Sequence, residues 1–269
     1  MNRTPVVFNL LVINVLLFAA TWFLGRSGND WLTEHLALYY PASSLFAPYQ
    51  FVTHMFMHGG LMHIFFNMYA LWIFGTPVEN SWGGKRFLFY YLFTGLGAAA
   101  LHTLVNYIIF SGIQADITAF SNTPTPELFK QFLEAHKDGF NREFIGYCYG
   151  LYSDWTDAPG NPSYAAAALD MLQRISSELM NIPTVGASGA VFGLLLAFGM
   201  MFPNVRLMLL FPPVAIKAKW LVIGYGGIEL FLGFSQPGSN IAHFAHVGGM
   251  LFGYLLIRYW IVQARKRRM

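Results

Sequence analysis

In GASGAVFG, residues 186–193, Ser188 stands between glycines at the start of an apolar run. A hydroxyl in that position is a nucleophile if a base reaches it. The stretch AHFAHVGGMLFG, 242–253, offers one: at about 100° per residue His246, Gly249 and Gly253 fall on one helical face. In HGGLMHIFFN, 58–67, His63 and Asn67 are four residues apart and project together. An imidazole and an amide so placed can donate to a developing oxyanion, a role worth roughly 3–4 kcal/mol per donor. The chemistry these four residue types suggest is acyl transfer through a serine.

The elements that must carry them are set by composition. The 269 residues are 55% hydrophobic, 17% aromatic and only 11% charged, with a net charge of +3, and the mean hydropathy is +0.46. A soluble domain carries about a quarter charged residues, so the composition predicts a polytopic membrane protein. Six apolar stretches approach the roughly 20 residues a spanning helix needs: about 5–24, 61–79, 86–110, 187–202, 220–234 and 242–262. The first is expected to be a retained helix and not a cleaved signal. The single cysteine, Cys148, has no partner within the chain.

Basic residues orient the spans, because Lys and Arg near helix ends resist translocation. With the N-terminus inside, Arg3, Lys85, Arg86, Arg206, Lys217, Lys219, Arg265, Lys266, Arg267 and Arg268 all fall on the inner side, and the short outer segments hold only Arg26. Residues 111–185 carry nine acidic against four basic residues and are placed outside. Within them, TPTPELFKQFLEAHKDGF and SYAAAALDMLQRISSELM read as helices, the second with Ala168, Met171, Leu172, Ile175 and Leu179 at helical spacing. Residues 147–163 read as an aromatic-rich loop. The predicted fold is all-α: a bundle of six transmembrane helices with an extramembrane helical insertion between the third and fourth. It divides into 1–110, the insertion 111–185, and 186–269 with a basic tail.

Placed on this frame, Ser188 opens the fourth span from outside, where the first N–H groups lack intrahelical partners and the dipole is positive. His246 lies about one turn into the sixth span and His63 and Asn67 in the outer third of the second, so all four share a depth. Gly189 and Gly193 form a G-x-x-x-G pair that allows close helix contact. Taken alone, that pair indicates only packing. Polar side chains buried in a membrane default to function, and these four come from three separate spans.

The motifs HIFFN (His63, Asn67), G-x-S-G (Gly186, Ser188, Gly189) and A-H-x-x-G-x-x-x-G (Ala245, His246, Gly249, Gly253), in this order, resemble those of the rhomboid intramembrane serine proteases. The resemblance covers the six-helix core and leaves out most of 111–185. It implies Ser188 as nucleophile, His246 as general base and then acid, and an oxyanion site made by the Ser188 backbone N–H with His63 and Asn67. It implies a catalytic pair with no metal and no cofactor. The expected partners are transmembrane protein substrates, cut near the outer boundary, and the lipid bilayer, with no nucleic acid; no feature sets an oligomeric state. The expected location is a bacterial inner (plasma) membrane with both termini cytoplasmic. By the same resemblance Glu79 is a structural tie, 234–240 caps the site, and the fifth helix gates substrate. Tyr49-Gln50 stands where many bacterial members have Trp-Arg. Phe192 stands where a tyrosine often stacks on the histidine, so stacking is expected to survive without the phenol's hydrogen bond.

Other polar residues have plainer readings. His54 and His58, four apart, lack the further ligands of a zinc site and are expected to make structural hydrogen bonds. His243 is a rival base that reads as solvent-facing, and Glu229 reads as a snorkelling or protonated gate residue in place of a third catalytic member. The aromatics of the first loop, including Phe46, Tyr49, Phe51 and Phe56, suggest an interfacial amphipathic segment. Two other classes compete with a protease: a catalytically silent rhomboid-like binder of membrane helices, and a His-rich metal transporter, whose polar residues would have to continue to the inner side.

Overall fold

A computed structural model describes residues 4–28, 30–137, 142–208, 213–235 and 242–267. Arg3, Asp138, Arg268 and all but the first two residues of the 234–240 cap segment lie outside the described residues. In chain order the helices are α1 (Pro5–Gly25), α2 (Trp31–Leu36), α3 (Gln50–Thr53), α4 (Leu61–Trp82), α5 (Gly84–Asn122), α6 (Pro126–His136), α7 (Arg142–Asp157), α8 (Pro162–Met180), α9 (Ser188–Met201), α10 (Ala218–Ser235) and α11 (His243–Lys266). A short antiparallel pair, β1 (Arg206–Met208) with β2 (Ala215–Lys217), joins α9 to α10.

Helices dominate because a backbone in lipid must satisfy its own polar groups. Of the six expected spans, α1, α4, α5 and α11 are long and apolar enough to cross a bilayer. The fourth, α9, is apolar but has only 14 residues. It is the centre of the bundle: α4, α5, α10 and α11 all pack on it, and small residues make that crowding possible. A methyl group at Gly249 would overlap the carbonyl oxygen of Gly189, and one at Gly189 would overlap the Ala98 side chain. One at Gly193 would stand 2.7 Å from Thr94. Tyr90 Oη crosses the same seam to donate to the Gly193 carbonyl at 2.8 Å. α9 and α11 thus meet at Gly189 and Gly249, while Gly193 and Gly253 make room for Thr94 and Tyr90 of α5.

Glu79, near the end of α4, caps the start of α1. Its Oε1 and Oε2 accept from the N–H groups of Val6 and Val7 at 3.0 and 2.8 Å, two of the orphan donors every helix begins with. The carboxylate is 2% exposed, so removing it strands two donors away from water. Hydrogen bonds to charged groups contribute about 1.5–3 kcal/mol each. Glu79→Ala is therefore expected to lower stability by about 2–4 kcal/mol and Glu79→Gln by less, read from unfolding transitions in mild detergent.

The third span does not stop near 110. α5 continues unbroken to Asn122, because 111–122 contains no proline and places Ile113, Ile117 and Phe120 on one face. That face joins a second apolar core with Phe129 and Leu133 of α6, Cys148 and Trp155 of α7, and Leu172 and Ile175 of α8. Residues 111–180 are thus mostly helical among the described residues, and the boundary expected at 110 falls inside a helix. The aromatic-rich segment read as a loop is largely α7. Its Phe144, Cys148, Leu151 and Trp155 recur at helical spacing and face the second core, which stabilises a helix that local propensity alone does not favour. On its outer face Glu134 of α6 is hydrogen-bonded by Lys137 and by Tyr149 of α7. Lys137 first, then Tyr149, hold that carboxyl below its usual range.

Candidate active site

Ser188 is the first residue of α9, so its own N–H and those of Gly189 and Ala190 have no acceptor within the helix. The approach to it is fixed from two sides. Leu38, in the loop after α2, pairs with Thr184 through both backbone bonds, at 2.9 and 2.8 Å, and the His54 carbonyl accepts from the Gly186 N–H at 2.9 Å. From α5, His102 Nε2 lies 3.0 Å from Thr184 Oγ1. The first loop that supplies these bonds is itself organised by Gln50, buried completely. Its amide oxygen accepts from the N–H of Ala47 at 3.1 Å, and its amide nitrogen donates to the Leu45 carbonyl at 2.8 Å. A neutral side chain therefore organises the loop at this position. Met55 and Met57 face inward, while Tyr49 and Val52 are exposed.

His246 Nε2 stands 2.8 Å from Ser188 Oγ, across 58 residues of sequence. The Phe192 ring stacks on the imidazole at 4.3 Å between centroids and 6° between planes, which fixes the ring's plane without a hydrogen bond. His63 approaches from α4. Its Nδ1 accepts a long bond, 3.5 Å, from the Gly59 N–H, which leaves Nε2 as the nitrogen bearing the proton. Gly186 has φ +129°, a conformation that favours glycine. A Cβ there would stand 2.8 Å from His63 Nε2 and 3.6 Å from Ser188 Oγ, so donor and hydroxyl converge on the space this glycine leaves open. Asn67 Nδ2 is buried nearby without a partner among the described residues.

The structure thus brings Ser188, His246 and His63 together from α9, α11 and α4, with Asn67 buried one turn beyond His63 on α4. Gly186→Ala is expected to displace the His63 imidazole and strain the 184–188 backbone. Any cleavage of a transmembrane peptide by this site should fall by about 10–100-fold with little change in expression, since a displaced donor costs up to a few kcal/mol of transition-state stabilisation.

Two expectations are overturned. His243 is not solvent-facing: it is 4% exposed, and its Nδ1 lies 2.7 Å from Glu229 Oε2. Glu229 does not snorkel outward: the same oxygen lies 2.9 Å from His246 Nδ1. Burying a carboxylate in an apolar helix is costly unless it is paired, and two imidazoles on α11 supply that pairing. The plainer expectation for His54 agrees with its contact to the Gln50 carbonyl at 2.8 Å. His58 packs edge-on to His63, with 5.1 Å between centroids. The support from His102 was missed, although a histidine inside an apolar span is itself a signal.

A bundle of apolar helices that brings a half-buried serine hydroxyl against a buried histidine defines an integral membrane protein. A family model described as the rhomboid domain matches residues 46–115 and 162–263, well over half of the chain, and the chain belongs to the rhomboid family. It is 23% identical over 262 residues to rhomboid protease GlpG of Serratia proteamaculans, covering 97% of this chain and 64% of that one. It is 35% identical over 104 residues to the chloroplastic rhomboid-like protein 11 of Arabidopsis thaliana, covering 39% of this chain and 35% of that one. Against rhomboid protease GluP of Bacillus subtilis the identity is 34% over 99 residues, covering 35% of this chain and 19% of that one. The chain thus spans less than two thirds of the length of each of these relatives. The family match leaves out 116–161, which holds the end of α5, α6 and α7.

Proposed function

We propose that the chain is an intramembrane serine endopeptidase that cuts transmembrane segments of other proteins near the outer boundary of the bilayer. The observation that carries this reading is the 2.8 Å contact between Ser188 Oγ and His246 Nε2. Ser188 Oγ attacks a scissile carbonyl carbon as its proton passes to His246 Nε2. The carbonyl oxygen, now an oxyanion, accepts from the Ser188 N–H, His63 Nε2–H and Asn67 Nδ2–H. Collapse breaks the C–N bond, His246 returns the proton to the departing amine, and the acyl group stays on Ser188. Water then adds to the acyl carbon as it gives a proton to His246, and collapse breaks the C–Oγ bond, returns that proton to Ser188 Oγ and releases the new carboxyl end. The unpartnered Asn67 amide suits this role, since a buried donor without an acceptor is costly until one arrives.

In this reading six helices cross the membrane, the shorter α9 and α10 included, with both termini on the cytoplasmic side of a bacterial inner membrane. The subdomain of 111–185 stands outside and the site draws its water from that side. Similarity to the rhomboid proteases GlpG and GluP supports the same activity here.

Incubation with a fluorophosphonate or an isocoumarin, followed by peptide mapping, tests the reading directly. A single adduct on Ser188, together with cleavage of a fluorogenic transmembrane peptide, is the expected result. An unlabelled Ser188 in folded protein that still binds the peptide would instead identify a catalytically silent binder of membrane helices.

A further inference from the structure

We infer that Glu229 is a positioning residue for His246, so that this chain works with a Ser188–His246–Glu229 relay and not with a pair alone. The inference rests on the serine-protease reading above and adds to it a third group from a separate helix. Three elements meet here: Ser188 from α9, His246 from α11 and Glu229 from α10. Oε2 of Glu229 lies 2.9 Å from His246 Nδ1, on the far side of the ring from the Nε2 that faces Ser188 Oγ at 2.8 Å. The carboxylate is not free to turn away, because the same oxygen is 2.7 Å from His243 Nδ1. All three side chains are largely removed from solvent, at 12% exposure for Glu229, 11% for His246 and 4% for His243.

The chemistry follows from which ring nitrogen carries the proton. An acceptor at Nδ1 keeps the proton there and leaves the Nε2 lone pair facing the serine, the tautomer a general base needs. When Nε2 takes the serine proton, the imidazolium that forms gains a carboxylate counter-charge at a largely buried position, where that attraction is stronger than in bulk water. His243 serves as the outer prop: its hydrogen bond is shorter and well aligned, whereas the His246 contact is bent and the Nδ1–H does not point straight at the oxygen. The bent contact leaves room to tighten as positive charge builds on the ring.

The same residues could be read as a metal site, since a carboxylate and two imidazoles gather there. The distances favour protons. Two ligand atoms on a tetrahedral zinc with bonds of about 2.0–2.1 Å stand about 3.3 Å apart, and the contacts of 2.7 and 2.9 Å are hydrogen-bond lengths.

The test uses the full chain in detergent or proteoliposomes, with kcat and KM for a fluorogenic transmembrane peptide and the melting transition measured for each variant. Glu229→Gln is expected to lower kcat by roughly 10²-fold or more with KM within about threefold. Glu229→Asp should restore at least about a tenth of the parent rate. His243→Gln, which loosens the prop alone, should fall between them. A Glu229→Gln enzyme with near-parent kcat overturns the inference, as does a loss that appears in KM or tracks a lowered melting transition without rescue by Asp. Zinc-dependent stabilisation of the parent that Glu229→Gln abolishes would reassign the cluster to a metal and overturn it too. Failure of the serine-protease reading looks different: the parent itself then matches Ser188→Ala in turnover and in labelling.

Discussion

Ser188→Ala is expected to reduce cleavage of a transmembrane peptide by roughly 10⁴-fold or more while leaving the melting transition within about 1 °C, because the change removes one nucleophilic atom and no packing. The hydroxyl's one bond of note is to His246 at 2.8 Å, and its loss leaves an imidazole still stacked on Phe192 and still facing Glu229. The residual rate should be close to that of His246→Ala, and the double variant little worse than either. Residues that act as one unit are strongly non-additive, since removing the nucleophile makes the base useless. If the single losses multiplied in the double variant, Ser188 and His246 would be acting independently, and the proposed chemistry would be wrong. The measurement is a turnover assay extended over hours, with purified variants matched by circular dichroism.

Gly249→Val is expected to be the most damaging substitution for the fold. A Cβ at this position meets the backbone carbonyl oxygen of Gly189, and a backbone atom cannot rotate away as a side chain can. To make room, α11 must move off α9, and with it His246, Gly253 against Tyr90 and Gly248 against Ala98. Overpacking in adaptable cores costs about 1–3 kcal/mol; a backbone seam should exceed that, at about 3 kcal/mol or more. The expected result is little folded protein in mild detergent. Gly249→Ala, with one methyl group, should fold poorly and hold His246 out of reach of Ser188. A denaturation series that found Gly249→Val as stable as the parent would show that the two helices do not meet through this glycine.

The groups at the site were readable because each carries a local mark. Glycine spacing on 186–193 and 245–253 marked the crowded faces, which meet each other at Gly189 and Gly249 and α5 at Gly193 and Gly253, and a serine or histidine on such a face has few places to go. The support behind the site was less readable. His102 and Gln50 act through backbone groups of Thr184, Leu45 and Ala47, and a hydrogen bond between distant loops leaves no period in a sequence. Glu229 was misread for a related reason. The spacing of His243 and His246 shows that both can face one way, but the carboxylate that draws them together arrives from another helix. The helix over 142–157 was hidden by its glycines and aromatics, although Phe144, Cys148, Leu151 and Trp155 already trace a stripe. The length of α5 was hidden because hydropathy falls after residue 110 while helical spacing continues.

The brevity of α9 has a consequence for how water reaches a bond inside a membrane. With 14 residues it rises about 21 Å, whereas α11, with 24, rises about 36 Å. Non-helical chain must make up the difference at the ends of α9, and irregular backbone is tolerated at such depth only against protein or water. Residues 184–187 meet that condition through Leu38 and His54. A serine that cleaves substrate from the head of so short a helix would be reached by water along this protein-lined, irregular chain, with no lipid displaced.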